Sequence, residues 1–286
     1  MQSRLVTLSG PAQHPASGRL NALNCLMSAR FAYLHLCASH KVLSVADAIF
    51  EEPRLAEIYD PLDPDRSDLD AYAALAGEFS AQTVLDIGCG TGTFACLLAG
   101  RGVEVIAVDP AAASLDVARR KPAADRVRWL HGDATTLPPL KVDLATMTGN
   151  VAQVFLTDEE WAATLAAVRE TLRPGGRLVF ESRDPAKQAW LEWNRGQTCR
   201  RAVIPDVGLV ETWTDLTKVE GNLVSFRMTF VFDSDSAALT SDSTLRFLSR
   251  DELADSLAAA SLDVEEVRDA PDRPGREFVF IARRAA

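Results

Sequence analysis

The sequence lacks any long apolar run, and basic residues are in the minority. No apolar stretch approaches the ~20 residues that a membrane-spanning helix requires, so no membrane partner is expected. The 286 residues include 30 Lys and Arg against 40 Asp and Glu, for a formal net charge of −10. Binding to nucleic acid depends on a basic surface, and the chain supplies none beyond its first 46 residues. No nucleic-acid partner is therefore expected.

Paired cysteines are also missing. The chain has five cysteines, an odd number, and contains no CxxC pair. This usage is typical of a protein in a reducing compartment and disfavours both a disulfide framework and a zinc site. We therefore expect a cytoplasmic location and no bound metal.

Acidic residues are absent from the first 46 positions, whose charge comes from Arg4, Arg19, Arg30 and Lys41. A basic, acid-free leader resembles a transit peptide, and it equally resembles sequence translated from upstream of the true start codon. We expect residues 1–45 to be a poorly ordered and dispensable extension, with the functional domain spanning 46–286.

Helical spacing of apolar residues begins at residue 46 and is interrupted at Pro53. A turn region rich in proline and aspartate, DPLDPDRSD, follows, and then a helix from Ser67 to Phe79 with Ser67 as its N-cap. Residues 46–82 are thus expected to form a helical cap. From residue 83 to 185, short apolar runs alternate with helical segments, and the runs predict strands at 83–87, 103–109, 127–130, 142–147 and 177–181. This alternation predicts a doubly wound, mostly parallel sheet covered by helices on both faces. Thr157, with Glu160 three residues on, predicts a capping box at the start of the last helix in this range.

The pattern changes to alternating or β-branched residues over 196–248, where three strands are predicted as a small antiparallel insert. A helix capped by Ser249 follows, with Glu252 at the capping-box position. Two final strands, within 262–268 and 277–282, close the domain (249–286).

The stretch VLDIGCGTGTFA (84–95) places three glycines directly after a buried strand. Its GxGxG spacing differs from the GxGxxG of dinucleotide sites, and no P-loop Lys follows. No basic residue between Leu85 and Arg101 could meet a phosphate. Glycines let the backbone approach a ligand closely, and Asp86 could accept hydrogen bonds from an ammonium group. A ligand with a cationic amino-acid end therefore fits this loop best.

Acidic residues also follow the next two strands. Asp109 ends the second strand, where a carboxylate can accept from both hydroxyls of a ribose. Asp133 follows the third strand, where it can accept from the exocyclic amine of adenine. The carboxyl ends of parallel strands share one edge of the sheet, so we expect these acids and the glycine loop to form one ligand site.

The segments DIGCGTG, VIAVD and HGDA, in this order and spacing, resemble the class I S-adenosylmethionine-dependent methyltransferases, over roughly residues 55–185. The resemblance implies a seven-stranded sheet with an antiparallel last strand. It also implies S-adenosylmethionine as the cofactor and assigns residues to its parts. The methionine portion is expected to be bound by Asp86, Gly88, Gly90 and Gly92. The ribose is expected to be bound by Asp109, and the adenine by Asp133 and Ala134. In the segment TMTGNVAQVF, the resemblance implies that Asn150, with Gly149 and Val154, lies beside the sulfonium. It also implies that the cap contributes Tyr59 and Arg66 to the cofactor site, with Arg66 pairing with the methionine carboxylate.

A general base is needed only where the acceptor must lose a proton. The candidates at strand ends are His131, Glu181 and Asp184, and the sequence does not choose among them. The fourth strand lacks both [DN]PP[YF] and a Pro-Cys nucleophile, which disfavours nucleic-acid and peptide-glutamine acceptors. We therefore expect a small-molecule acceptor beneath the 196–248 insert, and a monomer or homodimer.

Three alternatives remain open from the sequence. The chain could be a transferase that uses a modified form of the cofactor, or a cofactor-binding module without turnover. A nicotinamide dehydrogenase is the least favoured, because the third glycine lacks the required spacing.

Overall fold

The computed structural model describes residues 46–285, and the prediction made for residues 1–45 lies outside this range. The described chain contains a seven-stranded mixed sheet flanked by helices and a separate four-stranded antiparallel sheet. None of the described helices is both long and apolar enough to cross a membrane.

Eight α-helices occur in the described residues, and three of them precede the sheet. They are α1 (Ala48–Glu51), α2 (Pro53–Leu62), α3 (Asp68–Glu78), α4 (Thr93–Gly100), α5 (Ala112–Ala118), α6 (Asp158–Thr171), α7 (Arg195–Thr198) and α8 (Arg250–Ala259). The strands of the large sheet are β1 (Thr83–Ile87), β2 (Glu104–Asp109), β3 (Val127–His131), β4 (Val142–Met147), β5 (Leu172–Arg183), β10 (Leu262–Asp269) and β11 (Glu277–Arg284). The small sheet comprises β6 (Arg200–Ile204), β7 (Gly208–Glu220), β8 (Leu223–Phe232) and β9 (Ala238–Arg246).

The large sheet has the strand order β10-β11-β5-β4-β1-β2-β3. Strands β1 to β5 are mutually parallel, and β11 runs antiparallel to both of its neighbours. The predicted doubly wound sheet with an antiparallel last strand, and the small β insert, are therefore confirmed. The carboxyl ends of β1 to β5 lie at one edge, where loops can collect around a ligand.

Two apolar clusters cover the faces of this sheet. One contains Leu165 of α6 and Leu257 of α8, and the other contains Leu69 of α3 and Leu98 of α4. Strand β1 is buried along its whole length, including Asp86, as predicted for a central strand. Helices α6 and α8 both begin with the predicted capping boxes, at Thr157 and Ser249.

The small sheet packs its apolar face against the cap. Ile49, Leu55 and Ile58 of the cap form one cluster with Phe230 and Phe232 of β8. The alternating aromatic residues of β8 therefore lie on one face, because side chains two apart on a strand point the same way.

Several local predictions were wrong. Helix α2 continues through Pro61 to Leu62, so the first part of DPLDPDRSD is helical and not a turn. Ser67 precedes α3 but makes no side-chain capping bond. Strand β5 begins at Leu172 instead of Arg177, and β6 was not predicted, because its sequence RRAVI has too little alternation.

Candidate active site

The glycine loop lies between β1 and α4, and its backbone is left-handed at all three glycines. At Gly92 (φ 76°) a Cβ atom would approach Trp129 within 2.5 Å, so this glycine permits close packing of α4. At Gly90 (φ 52°) a Cβ atom would meet nothing within 4 Å. The backbone at Gly90 thus borders open space, which is what close approach of a ligand requires.

Asp86 is almost completely buried within β1, at 1% exposure. Its Oδ1 accepts a hydrogen bond from Thr146 Oγ1 at 3.1 Å, whereas its buried Oδ2 has no partner among the described residues. Burial raises the pKa of this carboxyl to about 7, and the nearby charge of Asp109 adds to the shift. An unpartnered buried carboxylate oxygen suits a cationic donor such as an ammonium group.

Asp109 lies at the end of β2 and joins the glycine loop to the following turn. Its Oδ2 accepts from the Gly90 amide at 2.7 Å, and its Oδ1 accepts from the Ala111 amide at 2.8 Å. Burial raises its pKa, while these two hydrogen bonds oppose the shift. Each oxygen still has a second lone pair, so the carboxylate can accept from a ligand's hydroxyls.

Asp133 begins a short 3-10 turn that includes Ala134. Its Oδ1 accepts from the Thr135 amide at 2.7 Å, so part of the carboxylate has a local capping role. Ala134 is buried at 3% exposure beneath this turn. The two residues follow β3, which pairs directly with β2, so they lie on the Asp109 side of the glycine loop.

Asn150 follows β4 in a left-handed conformation (φ 62°). Its backbone amide donates to Glu181 Oε1 at 3.0 Å, and its Nδ2 donates to Glu277 Oε2 at 3.3 Å. Its Oδ1 is buried without a partner among the described residues. Gly149 precedes it in a left-handed conformation, and Val154 is 48% exposed.

The three candidate bases occupy different environments. Glu181 is buried, accepts from the Tyr72 hydroxyl as well as from Asn150, and its pKa is raised by burial. Asp184 caps a 3-10 turn by accepting from the Ala186 amide at 2.9 Å. His131 is exposed, and its Nε2 lies 2.9 Å from the Pro110 carbonyl oxygen. A carbonyl oxygen can only accept, so Nε2 is the donor in that contact.

The two cap residues predicted at the site are separated. Arg66 forms a double hydrogen bond with Asp68, at 3.1 and 3.2 Å, and borders a shallow depression beside α4. Tyr59 packs against Phe50 and faces a different cavity. The cap is also fixed to the glycine loop, because Thr91 Oγ1 donates to Asp60 Oδ1 at 2.8 Å.

This second cavity, of about 710 Å³, lies between the cap, the end of β5 and the small sheet. Apolar side chains from Ile49, Met228 and Phe230 contribute to its lining. Charged residues line it as well: Asp63, Arg183, Glu192, Arg200, Arg273, Arg276 and Glu277. Because Glu277 also binds Asn150, the cavity adjoins the loop that follows β4.

Sequence reasoning missed most of these charged residues. Arg183 and Glu277 are paired across β5 and β11, far apart in the chain, and neither belongs to a recognisable motif. The one available signal was the position of Arg183 just after Glu181, at the carboxyl end of a predicted strand. The prediction that the 196–248 insert covers an acceptor stays a prediction, although Met228 and Phe230 do line the cavity.

Comparison with known proteins shows which protein family this part of the sequence resembles. The sequence from residue 84 to 176, which runs from β1 into β5, matches a family model described as "Methyltransferase domain". This part of the chain is therefore similar to methyltransferase domains. The match covers the glycine loop, Asp109, Asp133 and Asn150, and it ends before the small sheet.

Individual relatives extend the comparison. The chain is 34% identical over 118 residues to the cypemycin N-terminal methyltransferase of a Streptomyces species, covering 41% of this chain and 48% of the relative. The chain thus spans about half the length of the curated relatives it matches.

Solved structures resemble more of the chain. The CcbJ methyltransferase of Streptomyces caelestis superimposes with a TM-score of 0.67 at 24% identity, covering 81% of this chain and 96% of that one. CalS10 of Micromonospora echinaspora, an amino pentose methyltransferase solved with S-adenosylmethionine bound, gives a TM-score of 0.61 at 22% identity, with coverages of 80% and 95%. These similarities establish the fold of S-adenosylmethionine-dependent methyltransferases.

Proposed function

We propose that this protein transfers a methyl group from S-adenosylmethionine to a small-molecule acceptor. The observation that carries the proposal is the buried, unpartnered Oδ2 of Asp86 beside a glycine loop whose backbone borders open space. A phosphate ligand would be repelled there, whereas the ammonium group of an amino acid supplies the missing donor. The methyltransferase domain match and the neighbouring acids at strand ends agree with this choice.

The resemblance to S-adenosylmethionine-dependent methyltransferases and the acids at successive strand ends support an assignment of the cofactor positions. We infer that Asp86, Gly88, Gly90 and Gly92 hold the methionine portion and that Asp109 accepts from the ribose hydroxyls. Asp133 and Ala134 would border the adenine, and Asn150 would face the sulfonium region. Tyr59 would contribute from the acceptor side. Arg66 is the weakest of these assignments, because Asp68 already occupies its guanidinium.

When bound, S-adenosylmethionine supplies an already activated methyl group on a sulfonium. The protein therefore has mainly to align the acceptor and to exclude water. The cavity below the small sheet has a volume in the range of small-molecule sites, roughly 300–1,000 Å³. Its walls come from the cap and the insert, so both would shield the acceptor.

The three candidate bases differ in how available they are to remove a proton from the acceptor. Glu181 has both oxygens engaged, by Tyr72 and by Asn150, so we infer that it positions the loop after β4. Asp184 is engaged in capping, and His131 is exposed. We therefore propose alignment of the acceptor, rather than proton removal by one of these three groups, as the main contribution of the protein.

The test begins with isothermal titration calorimetry against S-adenosylhomocysteine. We expect saturable binding to the full chain, and no binding at millimolar ligand would overturn the cofactor assignment. Incubation with methyl-labelled S-adenosylmethionine and fractionated metabolite extracts should then yield a labelled small molecule. Mass spectrometry of that product distinguishes methyl transfer from transfer of another group, and tight binding without any product would favour a non-catalytic module.

A further inference from the structure

Arg183 is a partly buried cation that lies outside the residues matched by the methyltransferase domain model. It is the last residue of β5, its side chain is 22% exposed, and it lines the cavity under the small sheet. Its Nη1 donates to Gln153 Oε1 at 3.0 Å, which is its one hydrogen bond to the described residues. A neutral amide is therefore its closest partner.

The nearest carboxylate is committed elsewhere. Glu277 Oε1 accepts from Arg273 Nη1 at 2.7 Å, and Glu277 Oε2 accepts from Asn150 Nδ2 at 3.3 Å. The Nε of Arg183 lies 3.6 Å from Glu277 Oε1, which is beyond hydrogen-bond distance. Arg183 thus has an electrostatic neighbour but no hydrogen-bonded counter-ion.

Another arginine that lines the same cavity is arranged differently. Arg276 forms a double hydrogen bond with Glu192, at 2.9 and 3.1 Å, so its fork is already filled by a carboxylate. Arg183 has no such carboxylate although it is far more buried. Arg200 and Arg273 also line the cavity with N–H donors to spare, but their side chains are 69% and 48% exposed. Arg183, at 22%, is the least exposed of these guanidiniums.

Burial of a guanidinium without a matching acceptor is unfavourable. The group carries five N–H donors in a planar fork, stays charged at neutral pH, and binds carboxylate or phosphate through two parallel hydrogen bonds. Desolvation lowers the pKa of Arg183, which records the cost of this burial. An incoming anion would restore the missing partner.

The other residues that line the cavity indicate the chemistry of the rest of the ligand. Met228, Phe230 and Ile49 provide an apolar wall, and the buried Oγ1 of Thr212 has no partner among the described residues. A molecule with an apolar body and one anionic end would match this lining. The Asn150–Glu277 contact places that molecule beside the loop where the methyl group is expected.

We propose that the methyl acceptor carries a carboxylate or phosphate group and that Arg183 binds it, with the apolar part of the acceptor against Met228 and Phe230. This rests on the proposed function, because it takes the cavity as the acceptor site. Arg183 is accordingly a specificity-determining residue and takes no part in the bond changes.

The test uses three small probes of similar shape with the full chain saturated by S-adenosylhomocysteine. Phenylacetate and phenyl phosphate carry the two anionic groups, and phenylacetamide is the neutral control. We expect the better anion to bind about tenfold more tightly than the amide, as a charge-assisted double hydrogen bond predicts. Titration followed by protein NMR at low chloride gives the three dissociation constants, and the tighter anion identifies the source of the charge.

Two variants test whether Arg183 causes the preference for an anion over the amide. Arg183→Gln should abolish the difference between anion and amide, whereas Arg183→Lys, which keeps the charge but loses the fork, should retain part of it. Arg227→Gln is the matched control, since Arg227 is ion-paired with Asp242 on the outer face of β8 and loses the same charge. It should leave all three constants unchanged.

Equal binding of anion and amide to the wild-type protein would overturn the proposal, as would an anion preference that survives Arg183→Gln. Failure of all three probes to bind would also count against it. The cofactor titration is independent of these results. If the wild-type protein binds S-adenosylhomocysteine but shows no anion preference, only the inference about the acceptor is refuted. If the wild-type protein does not bind S-adenosylhomocysteine, the proposed function is refuted.

Discussion

Asp86 and Asp109 are buried carboxylates at neighbouring strand ends, and they differ in how their oxygens are partnered. Both oxygens of Asp109 accept backbone amides, so the side chain is held before any ligand arrives. One oxygen of Asp86 has no partner among residues 46–285. Asp109 is a preorganised hydrogen-bond acceptor and Asp86 an unsatisfied one, so the two side chains are suited to different parts of one ligand. Each therefore leads to a separate prediction.

Replacement of Asp109 tests the ribose assignment. Asp109→Ala should weaken S-adenosylhomocysteine binding by about 1–3 kcal/mol, because buried hydroxyl donors lose their acceptor. Calorimetry measures the change. Asp116→Ala, which removes an exposed carboxylate paired with Arg119 on α5, is the control and should leave the affinity unaltered. Unchanged affinity in Asp109→Ala would show that the ribose lies elsewhere.

Asp86 should couple cofactor binding to pH. Its pKa of about 7 in the free protein means that the carboxyl is half protonated near neutrality. An ammonium group favours the ionised form, so binding should release a proton, and S-adenosylhomocysteine affinity should rise as the pH increases from about 6 to about 8. Calorimetry in two buffers with different ionisation enthalpies measures the proton release. Asp86→Asn should remove both effects, and proton release that persists in this variant would contradict the assignment.

The same shift affects folding stability with a defined sign. A carboxyl whose pKa is raised in the folded state binds protons more tightly there than in the unfolded chain. Its protonation therefore stabilises the fold fully below the unfolded pKa of 3.8, and that contribution is lost as the pH rises through about 7. Bound cofactor would offset this loss, which links stability to occupancy.

Among the secondary-structure elements, helix α3 is joined to β5 by a single buried hydrogen bond. Tyr72 of α3 donates to Glu181 of β5, and Glu181 in turn accepts from the amide of Asn150. The cap, the sheet and the loop after β4 are thus connected through one carboxylate. Both oxygens of Glu181 are therefore engaged, in agreement with the proposal that it positions the loop after β4.

Tyr72→Phe tests that connection. The variant leaves Glu181 buried with one donor fewer, so the free energy of unfolding should fall by about 1–3 kcal/mol, measured by chemical denaturation. Tyr59→Phe makes the same chemical change where the hydroxyl has no hydrogen-bond partner among the described residues, and it should alter stability far less. Equal losses in the two variants would mean that the Tyr72–Glu181 bond contributes nothing.

The elements with regular local patterns were predictable. The buried strand Thr83–Ile87, strand Val142–Met147 and both capping boxes occur where the sequence placed them. The elements that were missed have weak local signals. Strand β6 is specified by pairing with β7, and the last turn of α2 contains a proline that tertiary packing tolerates.

At the scale of the whole molecule, the cap and the small sheet meet over the cavity that we propose as the acceptor site. Arg54 of α2 binds Asp235 and lies 3.6 Å from the centre of the Phe232 ring. The Ile49 amide donates to Ser241 Oγ at 2.9 Å, and Ser241 is fully buried. These contacts hold α1 and α2 against the insert, so cap and insert should form one cover.

Ser241→Ala should loosen this cover. The Ile49 amide would lose its buried partner, which costs about 1–3 kcal/mol of folding stability. Hydrogen exchange should become faster in α1 than in the central strands, as measured by mass spectrometry. Ser234→Ala changes an exposed serine in the turn after β8 and serves as the control. If exchange in α1 were the same in both variants, the hydroxyl would not be securing the cap.

The sequence by itself determined the sheet, the glycine loop and the acids at successive strand ends, because these depend on short-range periodicity and on the common edge of parallel strands. Only the tertiary structure decided which side chains are free to act. It showed Glu181 engaged by Tyr72 and Asn150, and Arg183 left with a neutral partner beside a cavity. Hydrogen-bond partners come from residues distant in the chain, so their occupancy cannot be deduced from local pattern.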